Sequence, residues 1–171
     1  NQRLEAACLT GLAEACEALG RHHLALDYCE RATAIAKQLQ DHATMAACMC
    51  VTGVARDRLG EHDQGIAELE RACEYARAHA QTRYEAKALQ EMAYMLVRRG
   101  LYRRALGAVE QSLALAKKAQ APILEMIALS IKGHLFFQQR DFEQARQAFE
   151  QALRMAGRLN RQRGQAIELY N

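Results

Sequence analysis

A pattern that recurs every 40 residues constrains this chain more than any other feature of its sequence. Four segments, which begin at residues 18, 58, 98 and 138, read ALGRHHLAL, RLGEHDQGI, RRGLYRRAL and QQRDFEQAR. They share four columns: a turn residue, an aromatic or imidazole residue, and two small residues further on. The columns are Gly20, Gly60, Gly100 and Arg140; His22, His62, Tyr102 and Phe142; Ala25, Gly65, Ala105 and Ala145; and Ala32, Ala72, Ser112 and Ala152. Such a period is typical of stacked repeats that complete each other's core.

Each repeat unit is predicted to contain two helices joined at the turn residue. Apolar residues recur at spacings of three and four, and the chain is rich in Ala and Leu with one Pro and no Trp. Asp41, Thr82 and Pro122 stand where helix starts are expected. Each helix should have about 17 residues and a length of about 25 Å. We therefore expect an all-α array with units at about 2–41, 42–81, 82–121 and 122–161.

Charge and cysteine content narrow the class of protein further. The net charge of +3 over 171 residues is low for a nucleic-acid-binding protein. The six cysteines all fall within helical patterns, so we expect small, buried, reduced side chains of a cytoplasmic protein. Cys48 and Cys50 point apart on a helix, which suits neither a zinc site nor a disulfide. The longest uncharged stretch, 43–55, is shorter than the roughly 20 residues that cross a membrane.

The array is predicted to continue beyond its fourth unit. The column of Ala6, Ala46, Ala86 and Met126 has its next member at Ala166, so residues 162–171 are expected to begin a fifth unit. Solenoids normally end in polar capping units, and none is evident here. The first interpretation is therefore that the chain is a piece of a longer protein. The second is that it self-associates through an open end.

The columns resemble the tetratricopeptide repeat, with Trp-x2-Leu-Gly-x2-Tyr on a first helix and Ala-x3-Phe and a further Ala on a second. The matching residues of the fourth unit are Leu129, Lys132, Gly133, Phe136, Ala145, Phe149 and Ala152. The other units carry Gly or Ala at 13, 53 and 93 and at 25, 65 and 105, where paired helices come close. Two departures are the 40-residue unit, against a usual length of about 34, and the missing closing Pro. Arg56 and Lys132 also stand in otherwise apolar columns, where they either reach the surface or bind locally.

This resemblance implies a right-handed α-solenoid of antiparallel helix pairs, the tetratricopeptide-like superhelix. Units of this length are similar to a long-helix subclass. It includes sensor and scaffold regions of bacterial maltose-activator-like regulators, quorum-sensing peptide receptors and eukaryotic polarity adaptors. The family's clamp for a chaperone C-terminal carboxylate uses Lys, Asn and Arg, whereas Thr10, Glu14, Cys50, Val54 and Gln90 occupy those columns here. Only Lys87 is basic, so chaperone-tail binding is not expected.

No residue pattern indicates catalysis. The chain has no HExxH motif, no Gly-rich phosphate loop and no nucleophile elbow. Carboxylates alternate with Lys and Arg at helical spacing, which is typical of solvated faces. His22 and His62 are expected to pack at the turns. We therefore expect a non-enzymatic protein without a metal or cofactor.

The first helices are expected to line a concave groove, as the resemblance implies. The candidate binding residues there are Lys87, Gln90, Tyr94, Arg98, Ile127, Ser130, His134 and Phe137, and Ile167 and Tyr170 continue the same face. Aromatic side chains among hydrogen-bonding groups are typical anchors for a peptide, with Arg98 available to an acidic group of the partner. The alternative is that some of these side chains pack against the next repeat.

These observations predict a protein- or peptide-binding module within a larger cytosolic regulatory or signalling protein. A second hypothesis is the small-ligand or signalling-peptide sensor domain of a bacterial transcriptional regulator. A third is nucleic-acid binding through the arginine-rich turn RRGLYRR, which we do not favour. We expect no membrane partner.

Overall fold

Helices fill the chain in the part that the structure describes. The computed structural model describes the backbone of residues 1–170 and the side chains of residues 1–160. Its elements are α1 (Gln2–Ala18), α2 (His22–Leu39), α3 (His42–Arg58), α4 (His62–Ala78), α5 (Thr82–Arg98), α6 (Tyr102–Lys118), α7 (Pro122–Gln138) and α8 (Phe142–Tyr170). No strand interrupts this described backbone, so the all-α prediction is confirmed.

The turns between helices repeat one backbone conformation at intervals of 20 residues. The residues at 20, 40, 60, 80, 100, 120 and 140 all have positive φ. At Gly100, the backbone N–H donates to the Val97 carbonyl over 3.0 Å, and the next N–H, of Leu101, donates to Leu96 over 2.9 Å. This pair of bonds closes the helix as a Schellman motif. The sequence predicted a turn at Gly100, within a unit. It did not show that the connections between units, at Gln40, Ala80 and Gln120, also contain a residue with positive φ.

Exchanging the residue types at two of these turns should change stability in opposite directions. Ala80 has φ of 55°, where a Cβ is strained, whereas Gly60 has φ of 88°. We expect Ala80→Gly to raise the free energy of unfolding by about 0.5 kcal/mol, because relief of strain exceeds the entropy cost of glycine. Gly60→Ala should lower it by about 1 kcal/mol. Urea unfolding measures both, and changes of the same sign would contradict this account of the turns.

The odd-numbered helices form the inner layer of the array. Each helix packs on the next one in the chain, and α1, α3, α5 and α7 also contact one another in succession. Among the described residues, the even-numbered helices make no such contacts with each other. The stack therefore curves with the odd-numbered helices inside, which gives an α-solenoid with a concave face lined by first helices.

Small residues let the two helices of a unit approach closely. A Cβ on Gly65 of α4 would lie 2.8 Å from the Gly53 carbonyl oxygen of α3. A Cβ on Gly53 would in turn lie 2.7 Å from Cγ of Leu69, which is fully buried. Backbone contact thus requires glycine at position 65, whereas at position 53 the buried Leu69 side chain occupies the space that a Cβ would need.

The two charged residues that stand in apolar columns point outwards. Arg56 Nη1 lies 3.2 Å from Glu61 Oε2, and Lys132 Nζ lies 3.4 Å from Glu110 Oε1. Lys132 also lies over the Phe136 ring, 5.9 Å from its centroid. Their long stems cover apolar surface while their charges reach solvent-side partners.

The last helix differs from the predicted repeat boundary. Asn160 stands in the column of the left-handed residues Gln40, Ala80 and Gln120, yet it lies inside α8, which continues to Tyr170. The expected turn between a fourth and a fifth unit is therefore replaced by continuous helix. The side chains of 161–171, including the predicted Ala166, Ile167 and Tyr170, lie outside the described residues.

The cysteines are free thiols. Cys8 is exposed, and the other five are buried within the helix pairs. In the described part of the chain, no helix combines the length and the apolar character that a bilayer crossing requires.

Candidate functional site

A groove of about 620 Å³ opens where α5, α7 and α8 meet. Its lining is mostly apolar, with a few polar and charged side chains. The lining residues are Arg58, Gln90, Glu91, Tyr94, Met126, Ile127, Ser130, Ile131, His134, Phe149, Ala152, Leu153 and Ala156. Because α5 and α7 belong to the inner layer, the groove lies partly on the concave face.

Five of the eight predicted binding residues line this groove, namely Gln90, Tyr94, Ile127, Ser130 and His134. The Tyr94 side chain is 40% exposed, and Ile127 is similarly open. The His134 ring meets Phe149 of α8 edge-on, with centroids 5.1 Å apart. The structure thus brings together an apolar wall, a phenol, an imidazole and a hydroxyl in one concave site.

Gln90 has a packing role within that wall. It is buried, and its side-chain Nε2 donates to the Leu124 carbonyl of α7 over 2.6 Å. Cys50, one unit earlier, directs its Sγ in the same way to the Tyr84 carbonyl of α5 at 3.9 Å. The side chains of Cys50 and Gln90 therefore face the first helix of the following unit. For Gln90, this is the alternative given above, in which a candidate binding residue packs against the next repeat.

The other three predicted residues lie elsewhere. Lys87 pairs with Glu14 of α1, with Nζ 2.7 Å from Oε1. Arg98 pairs with the buried Asp57, with Nη1 3.1 Å from Oδ2, instead of standing free for a partner. Phe137 is exposed at the end of α7 and packs edge-on against Phe142 at 5.6 Å. All three placements arise from contacts between different helices, which repeat spacing alone does not reveal.

Sequence reasoning missed the contribution of α8. Only first helices were assigned to the groove, yet Phe149 and Leu153 form one of its walls. Leu153 is 73% exposed, whereas Cys73 in the same column of α4 is 6% exposed because α5 covers it. The sequence already placed Leu153 and Cys73 in one column. The surface of α8 around Leu153 therefore corresponds to the surface of α4 that α5 covers.

Glu91 was also missed, although the sequence carries a signal for it. Its column contains Gly11, Val51 and Ile131 in the other units, so it is the one charged member of four. The side chain faces the groove and a second, smaller cavity of about 200 Å³ on its other side. Burial raises the pKa of the Glu91 carboxyl, and the nearby Lys87 partly opposes that shift.

The arginine-rich turn between α5 and α6 is largely paired within the chain. Besides Arg98, Arg99 Nη1 lies 2.8 Å from Asp63, and Arg104 Nη2 lies 3.1 Å from Glu70. Each carboxylate comes from the preceding unit. These arginines therefore connect neighbouring units.

No set of three or more His, Cys, Asp or Glu side chains in the described part of the chain is arranged to hold a metal ion.

Family models of the tetratricopeptide repeat match the chain in two places. One matches residues 5–78 and another matches residues 128–158, and together they span more than half of the sequence. No curated protein sequence matches the chain.

Solved structures share the same architecture. One is a Rap protein complexed with competence and sporulation factor, with a TM-score of 0.82 and 16% identity. Aspartyl phosphate phosphatase F from Bacillus subtilis has a TM-score of 0.81 and 12% identity. The chain is covered over 92% and 94% of its length in these comparisons, but it spans only 44% and 42% of those proteins. The similarity establishes the α-solenoid fold, and with the two family matches it shows that this chain belongs to the tetratricopeptide-repeat family.

Proposed function

We propose that this chain is a non-catalytic protein- or peptide-binding module of a larger regulatory or signalling protein. The observation that carries the proposal is the open groove of about 620 Å³ between α5, α7 and α8. A partner segment lies along this groove, with large side chains against its apolar wall. The polar groups at its rim fix the direction of the segment.

The chemistry of the lining supports this assignment. Tyr94, Ile127 and Leu153 expose large apolar surfaces that association would remove from water. Ser130 and His134 lie beside them and can exchange hydrogen bonds with a main chain. An apolar pocket with a few convergent polar groups is the usual form of a binding site, and tyrosine is frequent among energetically dominant contacts.

A second candidate is a sensor for a small ligand or a signalling peptide. The volume of about 620 Å³ lies within the range of small-molecule sites, roughly 300–1,000 Å³. One structurally similar Rap protein was crystallised with competence and sporulation factor, which supports ligand recognition by this architecture. A ligand whose increasing concentration progressively raises the melting temperature, where a scrambled peptide does not, would favour the sensor function.

The groove assignment is tested with peptides selected from a random library on the immobilised protein. We expect Tyr94→Ala to weaken binding of a selected peptide at least tenfold, because the ring supplies apolar contact and one hydroxyl at the groove wall. Fluorescence anisotropy with the labelled peptide measures the change.

Phe137→Ala is the matched control, because this aromatic residue is exposed on α7 but does not line the groove. Its effect should be less than twofold. If the selected peptides bound equally well to the Tyr94→Ala variant, the groove would not be their site.

A further inference from the structure

Glu91 stands between two different environments on the concave side. It is the residue shared by the linings of the large apolar groove and the smaller cavity. Carboxylates and one ammonium group dominate the smaller cavity, whose lining is Glu14, Glu17, Cys50, Val51, Val54, Lys87 and Glu91. A segment that fills the apolar groove therefore passes directly beside the Glu91 carboxylate.

The charges around Glu91 leave its own carboxylate without a partner. Lys87 is held by Glu14 at 2.7 Å, and Arg58 lies 4.0 Å from Glu17. Among the side chains of residues 1–160, no cation lies within ion-pair distance of Glu91. The five charged groups here comprise three carboxylates and two cations, so the cluster retains one uncompensated negative charge.

The environment makes that charge unfavourable in the protein alone. Removal of water raises the pKa of the Glu91 carboxyl, and Glu17 adds a smaller shift in the same direction. The positive charges of Lys87 and Arg58 oppose this rise only in part. A half-buried carboxylate without a hydrogen-bonded cation lowers the free energy of unfolding. When a ligand cation pairs with this carboxylate, the ion pair favours binding of the ligand.

We propose that the groove selects partner segments in which an Arg or Lys side chain lies next to a large apolar side chain, with the Glu91 carboxylate receiving the cation. This inference rests on the proposed binding function and names the chemistry of its partner. The apolar side chain occupies the wall formed by Tyr94, Ile127 and Leu153. The cation extends towards α3 and α1, where Glu17 adds to the negative potential.

The test compares peptide selection on the wild-type protein with selection on Glu91→Gln. Each immobilised protein is exposed to the same random heptapeptide library displayed on phage. We expect wild-type selection to enrich Arg or Lys beside a large apolar residue, and Glu91→Gln to lose the enrichment of the basic residue. A synthetic peptide from the wild-type selection should bind the variant at least tenfold more weakly.

The matched control is Glu74→Gln, which removes one charge from the exposed outer surface of α4. It should select the same sequences as the wild type. Replacing the basic residue of the synthetic peptide by norleucine should weaken its binding to the wild type but hardly affect its binding to Glu91→Gln.

Stability separates a folding defect from a binding defect. Because burial raises the folded-state pKa of Glu91 above its unfolded value, its ionisation disfavours folding at neutral pH, and this cost falls as pH drops below the folded pKa. Glu91→Gln should therefore be at least as resistant to urea as the wild type at pH near 7. Binding of the basic peptide to the wild type should weaken in mildly acidic buffer as Glu91 becomes protonated.

Three outcomes are distinguished. Enrichment of neutral or acidic peptides that still depends on Tyr94 would overturn this inference and leave the proposed function standing. Basic peptides whose binding is unchanged by Glu91→Gln would also overturn it. Failure of the wild type to enrich any sequence, while a known peptide-binding repeat succeeds, would count against the proposed function itself.

Discussion

Gly65→Ala should lower the free energy of unfolding by about 3 kcal/mol, one of the largest losses expected from any single methyl group in this chain. The added Cβ would lie 2.8 Å from the Gly53 carbonyl oxygen and 3.0 Å from the Asp57 backbone nitrogen. Both atoms belong to the α3 backbone, which cannot rotate aside as the end of a side chain can. The helices α3 and α4 would have to separate, and the contact between Leu69 and Gly53 would open.

The control for this prediction is Gly107→Ala in the middle of α6. Apart from the adjoining backbone of α6 itself, no atom lies within 4 Å of the position where its Cβ would be. Alanine is there the better helix former, so we expect the free energy of unfolding to rise by up to about 1 kcal/mol. Urea unfolding followed by circular dichroism measures both variants. If they had effects of the same sign, the close approach of α3 and α4 would be refuted.

Asp57→Ala should cost about 2 kcal/mol, because this carboxylate joins three helices. It is 5% exposed on α3, and its Oδ1 lies 2.7 Å from Nδ1 of His62 on α4. Its Oδ2 lies 3.1 Å from Nη1 of Arg98 on α5. Bonds to charged groups exceed neutral ones in strength. However, His62 and Arg98 are about half exposed and recover part of the loss by hydration.

Asp63→Ala is the matched control, since Asp63 also pairs with an arginine of the next unit. Its carboxylate lies 2.8 Å from Arg99 Nη1, but the side chain is 91% exposed. Its removal should change the free energy of unfolding by less than about 0.5 kcal/mol. Thermal or urea unfolding compares the two variants. If both variants lost the same free energy of unfolding, the burial of Asp57 would not strengthen its ion pairs with His62 and Arg98.

The fold could be predicted from the sequence because similar residue types recur every 40 positions. Gly20, Gly60 and Gly100 mark turns by the one residue that adopts positive φ without strain. The turns at Gln40 and Ala80 have the same backbone but no glycine, so the spacing of apolar residues and the helix-start residues Asp41 and Thr82 indicated them. The continuous α8 was mispredicted because column membership shows where a unit could begin, and tertiary packing decides whether the chain turns there.

The site was readable only in part, for a different reason. Tyr94 and His134 follow from the position of a column on the inner layer, and that position is a local property of the helix. The pairing of Lys87 with Glu14 joins residues that are 73 positions apart and depends on how strongly successive units curve. Curvature is the sum of many small packing choices, so no pair of columns predicts it. The role of α8 in the groove likewise depends on tertiary packing, because Leu153 lines the groove only where no further helix covers it.

The recurrence of one left-handed residue every 20 positions has a consequence for how such a chain can change length over evolutionary time. Each added residue turns the rest of a helix by about 100° and moves it by about 1.5 Å. An insertion of one or two codons within a helix would therefore present the wrong face to both neighbours. A duplication or deletion of exactly two helices and two turns returns every later side chain to an equivalent position. Growth and shrinkage of the array are thus tolerated only in whole units, while substitution within a unit remains free to reshape the concave surface.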